Sequence, residues 1–256
     1  MSVRIVSLAC SNTEIACALG AADELVGVDD HSDFPHEVVA RLPRVGPDLS
    51  VDIDRVRALK PDLVLASLTV PGHERNIEQL ERAGLPFVAP EPRSLADVYA
   101  NIRQIGGLLG RAVQAERLIS QMKTELAPRV VAPGARLLLE WWPKPIIVPG
   151  RDSWVNDVFA AAGAINPLAE RPLKSTPITD EEAAALAPDA VIISWCGVRV
   201  DKYRPEVVLR RPAFRALRLV AERRVFPVSE AFLGRPGPRL VDGARALRAV
   251  VEALSS

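Results

Sequence analysis

The densest run of chemistry-bearing side chains is Asp29-Asp30-His31-Ser32-Asp33, directly after the strand-like segment ELVGV. Carboxylates and an imidazole are the types that ligate a cation or pass a proton. Contiguous candidates are poorly spaced for one ion, however, and neither His36 nor His73 has a matching carboxylate pattern beside it. The run therefore reads as a polar loop whose Asp30 and His31 hydrogen-bond at the edge of a cleft. A second reactive group is Cys196, followed by Gly197 at the end of the strand-like DAVIISW. It reads as a buried inert thiol, with a thiol ligand or nucleophile as the alternative. All four tryptophans, Trp141, Trp142, Trp154 and Trp195, fall in the C-terminal half. Trp gives a large stacking face for little lost conformational entropy, which suits an extended flat or apolar ligand. Trp154 lies within a helical pattern and reads as core. Trp141 and Trp142 are adjacent and point to opposite faces if extended, so one of the pair faces the cleft. Arg235 and Arg239 flank Pro236 and Pro238 at the entry to the last helix, where they either solvate the turn or meet a ligand or partner.

Several chemistries lack their usual signatures. There is no G-x-S-x-G elbow and no recognisable Ser, His and Asp arrangement, and the GxGxxG and GxxxxGK[ST] phosphate loops are missing. A binding protein is expected rather than an enzyme. Acidic and basic residues balance at 32 each, which removes the long-range field used by nucleic-acid binders, so no nucleic-acid partner is expected. Apolar residues at 48% and charged residues at 25% are those of a globular chain. Cys10, Cys17 and Cys196 are an odd number without metal-type spacing, and are read as free thiols. The start, MSVRIVSLAC, runs straight into a β-like segment with Arg4 inside it and carries no export signal. As given, that places the chain in the cytoplasm; a removed precursor segment would place it in the periplasm or at the cell surface.

The elements that must position these residues alternate as in parallel βαβ units. RIVSLA, ELVGVDD, DLVLAS and LPFVAP read as strands, separated by NTEIACALG (capped by Ser11 or Asn12), IDRVRALK and ERNIEQLERAG as helices. From Ser94 to about Leu126 there is no proline and apolar residues recur at helical spacing. This reads as one long helix, irregular at Gly106, Gly107 and Gly110, with a length of about 50 Å that suits a spine between two lobes. The rhythm then restarts: ARLLLEWW, IIVPG, DAVIISW and RRVFPVS as strands, SWVNDVFAAAG (capped by Asp152 or Ser153), EEAAALA and PRLVDGARALRAVVEALSS as helices. The expected fold is α/β, with two Rossmann-like lobes of parallel sheet: residues 1–93, a linking helix over 94–127, and residues 128–256. In open α/β sheets ligands bind beyond the carboxyl ends of the strands. The candidate site is therefore Ser11, Asn12, Asp30 and His31 from the first half with Trp142, Arg151, Trp195, Cys196, Phe232 and Arg235 from the second.

Five segments carry a resemblance: SLACSNTEIACALG, VGVDDHSDFP, PRVGPDLSVDIDRVRALKPDLVLA, EWWPKPIIVPGRDSWVNDVFAAAGAIN, and VFPVSEAFLGRPGPRLVDGARAL. Together they resemble the substrate-binding proteins of ABC importers that carry cobalamin, ferric siderophores and haem, the class with two lobes joined by a single helix. The last two segments, with the Cys-Gly after the strand, are most similar to the cobalamin-binding branch. The resemblance implies a corrinoid held between the lobes as the bound ligand, with no cofactor required, an ABC permease as partner, and a monomer. A ferric siderophore or haem is the alternative ligand. A cytosolic cofactor-handling enzyme using Cys196 or His31 is the alternative of another class. The resemblance also implies docking of a glutamate from each lobe onto the permease. Glu74 matches the first position; Gly234 stands where the second is expected, with Glu230 or Glu222 as substitutes.

Overall fold

The computed structural model describes residues 3–130 and 134–255. It divides into two compact units, Met1–Pro92 with Ala96–Gln121, and Arg93–Leu95 with Met122–Ser256. In the first unit β1 (Ile5–Ser7), α1 (Cys10–Ala18), β2 (Leu25–Val28), α2 (His36–Val39), α3 (Ile53–Ala58), β3 (Leu63–Leu65), α4 (Glu74–Arg82) and β4 (Phe87–Val88) follow in turn. The strands form one parallel sheet in the order β2-β1-β3-β4. Val6 and Val64 pack with Val56 of α3 and Leu80 of α4 in one core. Their strand neighbours Ile5, Ser7, Leu63 and Leu65 point to the other face and are buried as well. Strands covered on both faces have no place for a polar alternation, which is why these runs are apolar except at Ser7, whose buried hydroxyl is hydrogen-bonded to the Ala9 carbonyl and Thr13.

The helix expected over 94–127 is two helices, α5 (Leu95–Leu108) and α6 (Ala112–Glu125). The chain leaves α5 at Gly110, which has φ +65°, and the Arg111 and Gly110 amides donate back to the carbonyls of Gly106 at 2.6 Å and Gly107 at 3.2 Å. That pair of bonds is a Schellman stop, and the left-handed residue in it costs least as glycine. Arg103 Nε lies 2.5 Å from Glu116 Oε1. In a continuous helix thirteen residues separate two positions by roughly 20 Å, so this ion pair requires the chain to turn back. Gly106 permits the close approach, since a Cβ there would meet the Ala115 Cβ at 2.6 Å.

The second unit continues with β5 (Ala135–Glu140), β6 (Trp142–Pro143), β7 (Ile146–Pro149), α7 (Val155–Ala162), β8 (Ala164–Ile165), β9 (Ser175–Ile178), α8 (Asp180–Ala185), β10 (Ala190–Ile193), α9 (Glu206–Leu209), α10 (Arg218–Ala221), β11 (Val225–Pro227), α11 (Glu230–Leu233) and α12 (Leu240–Ser255). Four strands make a parallel sheet in the order β11-β10-β5-β8. Beside it stands an antiparallel sheet, β6-β7-β9, that the βα rhythm does not announce. Its strands carry Pro143, Pro149 and Pro177 at edge or terminal positions, where a missing N–H interrupts no ladder. Leu138, Val191 and Ile193 pack with Phe214, Val148 and Ile178 in the core of this unit. Among the described residues no helix is long and apolar enough to cross a membrane.

Candidate functional site

On the first unit, the segments that follow the strands are joined by a chain of polar contacts. Ser7 and Thr13 hydroxyls lie 2.9 Å apart, Thr13 and Ser32 hydroxyls 2.8 Å apart, and Ser32 donates to Asp29 Oδ1 at 2.5 Å. The Asp29 carboxylate also accepts from the His31 amide at 3.0 Å. Burial raises the Asp29 carboxyl above its ordinary value, and the Ser32 and His31 donors oppose that rise. Arg44 fixes the loop from below by donating to the Asp29 and Ser32 carbonyls at 2.8 and 2.7 Å. The exposed His31 imidazole then stands 3.6 Å from Asp48 Oδ1, and the buried His73 imidazole stands 3.5 Å from Asp48 Oδ2. The nearby His73 imidazole holds the Asp48 carboxyl below its ordinary value against the opposing effect of burial. Asp29 rather than Asp30 is the hub of this network; Asp30 is exposed and its amide donates to Gly46.

Ser11 and Asn12 do not cap α1, whose cap residue is Ala9 without a side-chain bond. Both are buried, and Asn12 Nδ2 donates to the Ala66 carbonyl at 2.6 Å, pinning α1 to the end of β3. Asn12 thus holds α1 against the segment after β3.

On the second unit the strand ends present Trp142, 40% exposed, and the exposed Cys196, which corrects the reading of that thiol as buried. Its amide donates to the Trp141 carbonyl at 3.0 Å, so the segments after β5 and β10 meet there. Trp195 points the other way. It is 6% exposed, lies in the core cluster, and tilts against Tyr203 with ring centroids 5.4 Å apart. Its stacking face is used inside the unit, against the expectation that it faces ligand. Trp154 is half-buried at the start of α7 and donates its indole N–H to the Leu233 carbonyl at 2.8 Å. Phe232 is half-buried with the Arg239 guanidinium carbon 5.4 Å above its ring. Arg235 Nε lies 3.4 Å from Glu230 Oε2. Arg151 is exposed and pairs with Asp152 at 3.2 Å. Trp142, Cys196, Phe232 and Arg235 thus follow β5, β10 and β11 in the chain, as a candidate rim for a ligand.

Of the carboxylates read as docking groups, Glu74 is exposed at the first position of α4 and accepts from the Gly72 amide at 2.8 Å. Glu230 is already paired with Arg235, and Glu222 with Arg218 and Arg224. Three structural residues escaped the sequence reading. Asp48 gathers two histidines from loops distant in sequence, and the buried Glu140 and Arg211 pair across 71 residues. Local spacing contains no signal for either.

A family model described as periplasmic binding protein matches residues 5–230. The chain is 32% identical over 254 residues to the uncharacterized ABC transporter substrate-binding lipoprotein YvrC of Bacillus subtilis, covering 95% of this chain and 78% of that one. It is 27% identical to the vitamin B12-binding protein of Pectobacterium carotovorum, over 98% of this chain and 89% of that one. The periplasmic heme-binding protein RhuT from Roseiflexus sp. RS-1, in apo form, superposes with a TM-score of 0.80 at 28% identity, covering 99% of this chain and 98% of that one. With a family match over residues 5–230 and a relative 32% identical across 95% of its length, the chain belongs to the periplasmic binding protein family.

Proposed function

We propose that this chain is the substrate-binding component of an ABC importer and that it captures a corrinoid. The observation that carries the ligand assignment is the 40% exposed Trp142 in the candidate rim of the second unit, together with Phe232, over whose ring the Arg239 guanidinium lies. Broad aromatic faces with a few placed cations suit a large planar ring bearing polar side groups. The likeness to vitamin B12-binding proteins over nearly the whole chain supports the same reading. A haem is the second reading, favoured by His31, whose exposed imidazole is oriented by Asp48 and is of the type that ligates iron.

Titration with cyanocobalamin, hemin and a ferric hydroxamate, following tryptophan fluorescence, separates these ligands. Saturable quenching by cyanocobalamin at micromolar concentration or below is expected. Binding of hemin alone, abolished in His31→Ala, would move the assignment to haem, and quenching by none of the three would remove it. Docking is tested separately: capture of the cognate permease should weaken in Glu74→Ala while ligand affinity holds. A turnover lost in Cys196→Ala would favour the enzyme alternative.

A further inference from the structure

The second unit contains a pocket of about 890 Å³ whose lining includes none of the rim residues Trp142, Cys196, Phe232 and Arg235. The volume falls within the range of small-molecule sites, about 300–1,000 Å³. Its apolar lining includes Pro145, Ile146, Ile178 and Val207. Its walls are tied together from behind by the buried Arg211. The Arg211 Nη2 donates to the Pro143 carbonyl at 3.3 Å, its Nε lies 3.3 Å from Asp180 Oδ1, and its charge is met by the fully buried Glu140. A guanidinium held on several sides fixes the β6–β7 turn and the start of α8 in one arrangement, so the pocket exists before anything enters it.

The charges around the opening do not balance. Lys144, Arg204 and Arg210 line the pocket and are exposed, and among the described residues none of them pairs with a carboxylate. Arg204 donates Nη1 to the Asp201 and Tyr203 carbonyls at 3.1 and 2.9 Å, which leaves its charge uncompensated. Of the two acids of the lining, Glu206 pairs with Arg223 at 3.4 Å, and Asp180 shares Arg211 with Glu140, so one negative charge of that trio stands against the three exposed cations. The surplus of two positive charges above an apolar lining selects an amphipathic anion over a neutral apolar molecule or a small inorganic ion.

We propose that this pocket is a second ligand site, distinct from the aromatic rim, and that it takes a small organic acid whose carboxylate meets Lys144 and Arg210 and whose ring-sized apolar body lies against Pro145, Val207 and Pro212. The site is independent of which large ligand the rim binds.

The probe is 2-naphthoate, with uncharged 2-naphthylmethanol of the same shape as control, followed by calorimetry and by amide chemical shifts of the labelled full chain. One saturable site is expected, with shifts centred on Lys144, Val207 and Arg210. The double substitution Lys144→Glu with Arg210→Glu should weaken naphthoate at least about tenfold and leave quenching by cyanocobalamin unchanged. Both side chains are exposed and without ion pairs, so the variant should fold; if its thermal transition is lost, Lys144→Gln with Arg210→Gln gives the same readout. Equal binding of the uncharged control, unchanged affinity in the double variant, shifts centred on Trp142 and Phe232, or no saturation would each overturn the proposal. Failure of cyanocobalamin to quench would instead bear on the rim alone.

Discussion

Arg211 sets its guanidinium directly against the carboxylate of Glu140, with Nη2 3.2 Å from Oε2, and both side chains are buried. Burial raises the Glu140 carboxyl and the Arg211 contact opposes it. Removing one member of such a pair strands the other charge in a medium that solvates it poorly. Arg211→Met should therefore lower unfolding stability by about 3–5 kcal/mol. Glu140→Gln should cost less, because Arg211 keeps Asp180 and the Pro143 carbonyl as acceptors. Urea unfolding of the two variants measures the difference, and equal losses would contradict it.

Tyr203 joins two strand-end segments, donating its hydroxyl to the Trp195 carbonyl at 3.1 Å and accepting from the Glu230 amide at 3.2 Å. Burial pushes its phenol from 10.0 up to about 12. Above pH 10 the unfolded chain ionises this group while the folded chain does not, so ionisation favours the unfolded state. The stability associated with Tyr203 is present below pH 10 and falls as the pH rises toward 12, by about 2–3 kcal/mol in all. Urea midpoints between pH 9 and 12 should show the fall, and Tyr203→Phe should flatten that part of the profile. In Tyr99→Phe, absorbance at the phenolate band reports Tyr203 alone and should rise near pH 12.

The legible part of the fold was the part set by local pattern. β1, β3 and β10 are apolar runs buried on both faces, and a doubly covered parallel strand has nothing else to show. The break between α5 and α6 was written in Gly106, Gly107 and Gly110, yet apolar spacing alone continued through them, because helical periodicity cannot tell one helix from two that share a core. β8 is two residues long and β9 reads Ser-Thr-Pro-Ile, too short or too interrupted for any period to register. Strand ends single out Trp142, Cys196 and Phe232 as candidate rim residues. They could not separate Trp142 from Trp195, since a strand end does not say which side chains turn back into the core.

That separation has a measurable consequence. Trp142 is 40% exposed and its indole donates to the Lys144 carbonyl at 3.2 Å, so Trp142→Ala should lower stability by about 1 kcal/mol while weakening cyanocobalamin by about tenfold or more. Trp195 fills core volume beside Tyr203 and Phe214. Trp195→Ala should cost about 3–5 kcal/mol of stability, and any loss of affinity should follow the folded fraction. Paired fluorescence titrations and urea curves distinguish the two patterns, and a stable Trp195→Ala protein with selectively lost affinity would return Trp195 to the ligand.

Two glycines in helices should respond in opposite directions to the same substitution. Gly243 of α12 lies against α11: a Cβ there would collide with the Phe232 carbonyl oxygen and sit 2.8 Å from Leu233 Cδ2. Backbone cannot yield as a side chain does, so Gly243→Ala should push α11 away, cost about 1–3 kcal/mol, and carry the Phe232 ring out from under Arg239. Ligand affinity should fall with it. Gly107, near the end of α5, has nothing within 4 Å of its would-be Cβ. Gly107→Ala gains helix propensity at no steric cost and should stabilise by about 0.5–1 kcal/mol with affinity unchanged. Thermal unfolding with cyanocobalamin titration of both variants tests the pair: a Gly243→Ala protein that keeps both stability and affinity would mean that α11 does not need this close contact to hold Phe232 in the rim.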